Sequence, residues 1–177
     1  MKSVLISIRP KWTEKIANGE KTIEVRKTAP KEVPFKAYIY ETQGQYVKFT
    51  HGAHTKYGYG RGKVIGEFIC DKVDKYPYDY CDGVDIDDDT ILETAIDRED
   101  INIYAKGKTL YGWHISDLKI YDKPRELSEF SRPCSYSGLC FSCKRTSFKK
   151  DGNLLCNTKI TRPPQSWMHV EDLGEEE

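Results

Sequence analysis

Ile6-Ser7-Ile8-Arg9-Pro10, followed by Gly19-Glu20-Lys21-Thr22-Ile23-Glu24-Val25-Arg26-Lys27, reads as a strand, a short helix and a second strand. Val4, Ile6 and Ile8 alternate with Ser7 and Arg9, and Ile23 and Val25 alternate with Glu24 and Arg26. Strand side chains point to opposite faces at period two, so each segment has one apolar and one polar face. If the two strands are neighbours in one sheet, the apolar set enters a core and Ser7, Arg9, Glu24 and Arg26 converge on the opposite surface. A carboxylate among guanidinium groups on a rigid sheet suits a polar, anionic ligand. An ordinary solvated sheet face carries the same pattern.

Working outward, Pro10 suits a first helical position and Gly19 after Asn18 a helix stop, with Trp12 and Ile16 turned to the core. Phe35 to Tyr40 and Lys63 to Cys70 read as third and fourth strands, antiparallel to each other. Residues 43–62, rich in Gly, Tyr, His and Lys, read as a long mobile loop. Thr90-Ile91-Leu92-Glu93 resembles a capping box, and Asp97 is placed to cap a helix running to about Lys106. Leu110 through Tyr121 carries one long strand signal, and Pro163 to Val170 supplies a closing strand. Many strands with few short helices argue for a small mixed β-barrel of the α+β class.

The chain has 177 residues, the length of one domain with room for an insertion at 131–162. No apolar run approaches the ~18 residues that span a bilayer, so no membrane partner is expected. The Val4–Ile8 run is too short for a secretory signal, which makes the cytoplasm the expected compartment. The net charge of zero hides a division. Residues 71–100 hold 12 acidic and 3 basic side chains, whereas residues 132–162 hold 7 basic and 1 acidic.

Ser7-Ile8-Arg9-Pro10, Gly19-x-Lys21-Thr22-x-Glu24-x-Arg26, Lys63-Val64-Ile65-Gly66-Glu67-Phe68, Tyr111-Gly112-Trp113-His114-Ile115 and Pro163-Pro164-Gln165-Ser166-Trp167 together resemble the ASCH domain family of the PUA-like superfamily. The likeness runs in order from residue 4 to about 170. It implies a compact β-barrel with a groove beside the charged second strand, and a ligand that is RNA or a nucleotide. The groove residues it implies are Arg9, Lys21, Glu24 and Arg26, with Gln165 and Ser166. Lys21 has the opposite parity to Glu24, so it reaches the groove only if the chain bends near Gly19.

Some relatives in that superfamily are small amidohydrolases in which a Lys-x-x-Thr pattern activates a threonine. Here the fourth position is Glu24, and Thr22 directly follows the lysine. In an enzyme, a nucleoside amidohydrolase or ribonuclease, Lys21 and Glu24 would move the proton. Arg26 on the face of Glu24 keeps that carboxylate ionised, which favours binding over catalysis.

Cys134, Cys140, Cys143 and Cys156 follow C-x5-C-x2-C-x12-C, a spacing that suits a closed structural Zn²⁺ site of four thiolates. Asp151-Gly152 offers the turn that returns Cys156 to Cys143. Disulfides need an oxidising compartment, iron–sulfur spacings differ, and free thiols are the remaining alternative. The basic residues here, with Tyr136, Phe141 and Phe148, suit phosphate contact and base stacking. The same hairpin would suit a protein partner, giving a zinc-stabilised interaction module.

The acidic run Asp82 to Asp89 lacks EF-hand order, with Thr90 and Ile96 where glycine and glutamate are needed. Gly58-Tyr59-Gly60-Arg61-Gly62-Lys63 is no phosphate-binding loop, since Val64 follows the lysine, although its aromatics and cations suit an RNA-contacting flap. The histidines show no metal-ligand spacing.

Overall fold

A computed structural model of the chain describes residues 1–51, 54–133, 146–148, 154–156 and 159–174. In chain order its elements are β1 (Lys2–Ile8), α1 (Pro10–Ala17), β2 (Ile23–Arg26), β3 (Phe35–Glu41), β4 (Gly44–His51), β5 (His54–Gly60), β6 (Lys63–Cys70) and β7 (Val73–Tyr76). The short pair β8 (Tyr78–Asp79) and β9 (Gly83–Val84) follows, then α2 (Asp88–Thr94), α3 (Arg98–Ala105), β10 (Leu110–His114) and β11 (Ser116–Arg125). A 3-10 turn at Leu127–Glu129, β12 (Thr146–Phe148), β13 (Leu154–Cys156) and β14 (Trp167–Val170) complete it.

Five strands form one sheet in the order β11-β6-β3-β1-β14, and three form a second in the order β2-β10-β7. β1 runs parallel to β3 and antiparallel to β14, and β3 runs antiparallel to β6 as expected. With β3 and β14 holding both edges of β1, no edge remains for β2, which pairs with β10 instead. The two charged strands are therefore not neighbours in one sheet. Nor do the pairings close into a barrel among the described residues, because the two sheets share no ladder. The expected barrel is instead two packed sheets with flanking helices.

The strands β1, β2 and β3 are buried on both faces. Val4, Ile6 and Ile8 of β1, with Phe35, Ala37, Ile39, Phe68 and Cys70, meet Ile16 of α1 and Trp113 of β10 between the sheets. Leu5, Tyr38, Tyr40 and Val64 on the far face, with Val170 of β14, pack against Phe130 and Ile160. Val25, Tyr76 and Leu110 on the outer face of the smaller sheet pack on Ile101 and Ala105 of α3 and on Val84 and Ile86. Such two-sided burial explains why Leu5 stands on the face of β1 that alternation leaves polar.

Three local readings change. Residues 43–62 hold the β4–β5 hairpin rather than a loop. Its glycines look like loop residues but answer to neighbours: a Cβ on Gly58 would lie 2.4 Å from Tyr46 Cζ, and one on Gly60 1.9 Å from Thr42 O. The long strand of 110–121 is two, because the Ile115 N–H leaves the ladder to donate to Thr22 O at 2.9 Å. Asp87, not Thr90, caps α2, its carboxylate accepting from Thr90 N at 2.8 Å. Asp97 stands at the α3 N-cap as expected, without a side-chain bond. Among the described residues no helix is long and apolar enough to cross a membrane.

Candidate functional site

α1 begins at Pro10, with Arg9 in extended conformation at its N-cap. It ends at Asn18, and Gly19 takes φ +76°, a left-handed turn open to glycine without a Cβ penalty. That turn sends Lys21 inward before β2 starts, so the strand's parity does not govern it. Its Nζ donates to Ile23 O and to Thr94 O, each at 2.7 Å, and lies 3.4 Å from Glu24 Oε2. Thr94 is the last residue of α2, whose final carbonyls lack helical partners and carry partial negative charge. Three acceptors around one Nζ use all three ammonium protons. Burial pulls the Lys21 pKa down, and the facing Glu24 carboxylate opposes it.

Glu24 is bracketed on its other side by Arg26 Nη2, 2.9 Å from Oε1. The same Nη2 donates to the backbone carbonyl of Ser7 at 2.6 Å. This bond ties the smaller sheet to the end of β1. Glu24 lies opposite Trp113 in the β2–β10 ladder, and directly paired residues share a face. Because Trp113 packs between the sheets, the charged face of β2 also turns inward. Lys21, Glu24 and Arg26 are 1%, 6% and 8% exposed, so the charges form a buried cluster rather than a solvated surface. Two cations on one carboxylate leave the cluster with a net positive charge.

The rim comes from other elements. Arg9 is exposed. Tyr104 of α3 is 39% exposed; burial holds its phenol above the ordinary value, with the charges of Arg26 and Arg9 pulling it down. Lys27 Nζ sits 5.1 Å from the centre of the Tyr104 ring. Trp12, partly buried, has Lys11, Lys15 and Lys21 Nζ at 4.6, 5.7 and 5.6 Å from its ring. Ser7 itself offers the charged cluster its carbonyl only, because its hydroxyl donates to Pro164 O at 2.7 Å. Its N–H donates to Ser166 O at 2.9 Å, which seats the 164–166 segment at the end of β1. Gln165 there is exposed and Ser166 half-buried.

The structure thus brings Lys21, Glu24 and Arg26 into direct contact, and attaches Ser166 through Ser7. Sequence reading missed Thr94 and Tyr104, which reach the charged cluster only because α2 and α3 pack behind β2. No local pattern announces either. His114 Nε2 lies 2.7 Å from Asp74 Oδ2. Among the described residues Arg26 Nε is a buried donor without an acceptor. Of the expected zinc ligands, Cys134, Cys140 and Cys143 lie outside the described residues, and Cys156 ends β13 opposite Thr146.

No family model matches the sequence, and no curated protein matches it. Among solved structures, ASCH from Zymomonas mobilis superposes with a TM-score of 0.54 at 16% identity, over 96% of this chain and 88% of its own. A single-residue variant of that Zymomonas mobilis protein gives 0.54 at 16% identity, over 96% of this chain and 89% of its own. At such identity the likeness shows the fold, and the fold of this chain is of the ASCH type.

Proposed function

We propose that this chain, ASCH-type in its architecture, binds RNA or a nucleotide at the cleft between its two sheets. The observation that carries this reading is the cationic Lys21–Glu24–Arg26 cluster with one buried guanidinium N–H still lacking an acceptor. A buried donor left unmet costs about 1–3 kcal/mol, and a ligand oxygen would relieve it. Arg26 and the exposed Arg9 would take phosphate or carbonyl oxygens, and Glu24 a base amino group. Gln165 and Ser166 would stand at the rim. Lys21, with every N–H committed, would hold Glu24 in place, which supports binding over the proton transfer a hydrolase needs.

Binding of a labelled single-stranded RNA, titrated across salt, tests this. Arg9→Ala should weaken binding and flatten the slope of log K against log salt by about 0.7–1, the counterions released at one phosphate. An unaltered slope and affinity would remove Arg9 and the cleft from the reading.

We also propose a structural zinc ion at Cys134, Cys140, Cys143 and Cys156. The β12–β13 hairpin supports it, since the Thr146–Cys156 register sets Cys156 across from the residue three past Cys143. Four thiolates would supply folding energy to a segment with few apolar residues. Elemental analysis should find one zinc per chain, absent after Cys140→Ser with Cys143→Ser. Metal-free protein from chelator-free purification would end the idea. If zinc is found and RNA binding fails, a zinc-stabilised interaction module is the reading left.

A further inference from the structure

We propose that the outer face of the β4–β5 hairpin is a second contact site, a stacking platform for a single-stranded stretch of the same nucleic acid; it rests on the RNA-binding reading. The hairpin has two distinct faces. Tyr46, Gly58 and Gly60 turn inward: Tyr46 lies across Gly58, and a Cβ on Gly60 would meet Pro10 Cγ of α1 at 2.4 Å. Lys48 Nζ binds Glu14 Oε1 of α1 at 2.7 Å. The hairpin is therefore seated on the helix that opens at Arg9.

The outer face carries Gln45 opposite Tyr59 and Val47 opposite Tyr57. Tyr59 is 71% exposed, Tyr57 48% and Val47 51%. Two large rings standing in solvent on one strand are a poor use of aromatic residues unless something covers them. Their partner's chemistry follows from charge. Between Glu41 and Glu67 the sequence has no Asp or Glu and has Lys48, Lys56, Arg61 and Lys63. Lys48 and Lys63 are paired at 2.7 Å with Glu14 and Glu126, whereas Arg61 is 3.9 Å from Glu41 and largely exposed. An acid-free aromatic face fits a polyanion that also presents flat rings.

Spacing narrows the choice. Residues two apart on a strand stand about 6.6 Å apart, about twice the ~3.4 Å step along a duplex strand. Bases that reach both rings must be spread, as single strands allow and duplexes do not. Stacking on aromatic side chains tolerates any base, so the platform would add affinity without sequence choice.

The test compares labelled single-stranded RNA with a duplex of the same sequence on wild type, Tyr57→Ala with Tyr59→Ala, Tyr57→Phe with Tyr59→Phe, and Arg9→Ala. The expected result is a tenfold or greater loss of single-strand affinity in the double alanine variant, near wild-type affinity in the phenylalanine variant, and no matching loss for duplex. Because both rings are exposed, the variants should keep the wild-type melting temperature. Full affinity in the double alanine variant, with loss in Arg9→Ala, would overturn the platform and leave the cleft standing. No RNA binding by wild type would overturn both. Concentration-dependent self-association that the double alanine variant abolishes, with RNA affinity untouched, would give the face to a second copy and overturn the proposal.

Discussion

Replacing Lys21 by alanine is expected to lower the unfolding free energy by about 3–5 kcal/mol, the cost of breaking a buried ion pair by removing one partner. Alanine would leave the Ile23 and Thr94 carbonyls, each bonded to Nζ at 2.7 Å, without their donor in a site closed to water. Glu24 would keep Arg26 but lose its second cation. The loss should appear as a lower denaturant midpoint with an unchanged slope. Lys21→Met, which keeps the apolar stem, should recover a minor part.

The pH dependence separates charge from packing. Burial places the folded Lys21 pKa below 10.5. Between the folded value and 10.5 the unfolded chain holds more protons, so this group makes stability rise with pH across that window. Lys21→Met should lose that rise. A stability change under about 1 kcal/mol in Lys21→Ala would mean that water reaches the cluster, as it does for surface pairs.

Trp113→Ala should cost about 3–5 kcal/mol as well, by emptying the space between the sheets. Trp113 is fully buried, edge-on to Phe35 with ring centres 5.1 Å apart and to Trp167 at 5.7 Å. Phe35 and Trp167 belong to the larger sheet, so this side chain from the smaller sheet fills much of the space between the two. Its indole N–H has no acceptor among the described residues, so Trp113→Phe gives up shape without giving up a hydrogen bond. Phenylalanine should therefore cost clearly less than alanine. Because Trp113 faces Glu24 across the ladder, the alanine variant should also weaken RNA binding at temperatures where it remains folded. Equal, small losses for both variants in thermal unfolding would show that the sheets are held elsewhere.

Much of the local structure was legible because its causes are local. Alternation in Val4–Ile8 and Ile23–Arg26, proline at the start of α1, glycine after Asn18 and Asp97 before α3 act through neighbours along the chain, and each element formed where they stand. The tyrosine-glycine stretch at 57–60 misled for a complementary reason. Gly58 and Gly60 are glycine because Tyr46, Thr42 and Pro10 occupy the space a side chain would need, and those residues are far away in sequence. The break at Ile115 has the same character, its amide being claimed by Thr22, the residue before β2.

The candidate site divides along the same line. Its residue types (Arg9, Lys21, Glu24 and Arg26) and the bend that frees Lys21 from strand parity are written in the chain. Their depth is not. Whether a charged strand face meets water or a second sheet depends on which edges β1 and β10 leave open, and every buried amide must find a partner somewhere. That global accounting put β2 on β10, turned Glu24 and Arg26 inward, and called in Ser7 O, Thr94 O and Tyr104 from three other elements. Sequence by itself determined the elements and the ionic groups, since short-range sterics and alternation act before the chain folds. Only the tertiary structure decided that Lys21, Glu24 and Arg26 form a buried, net-positive cluster, because burial and pairing belong to contacts between residues distant in the chain.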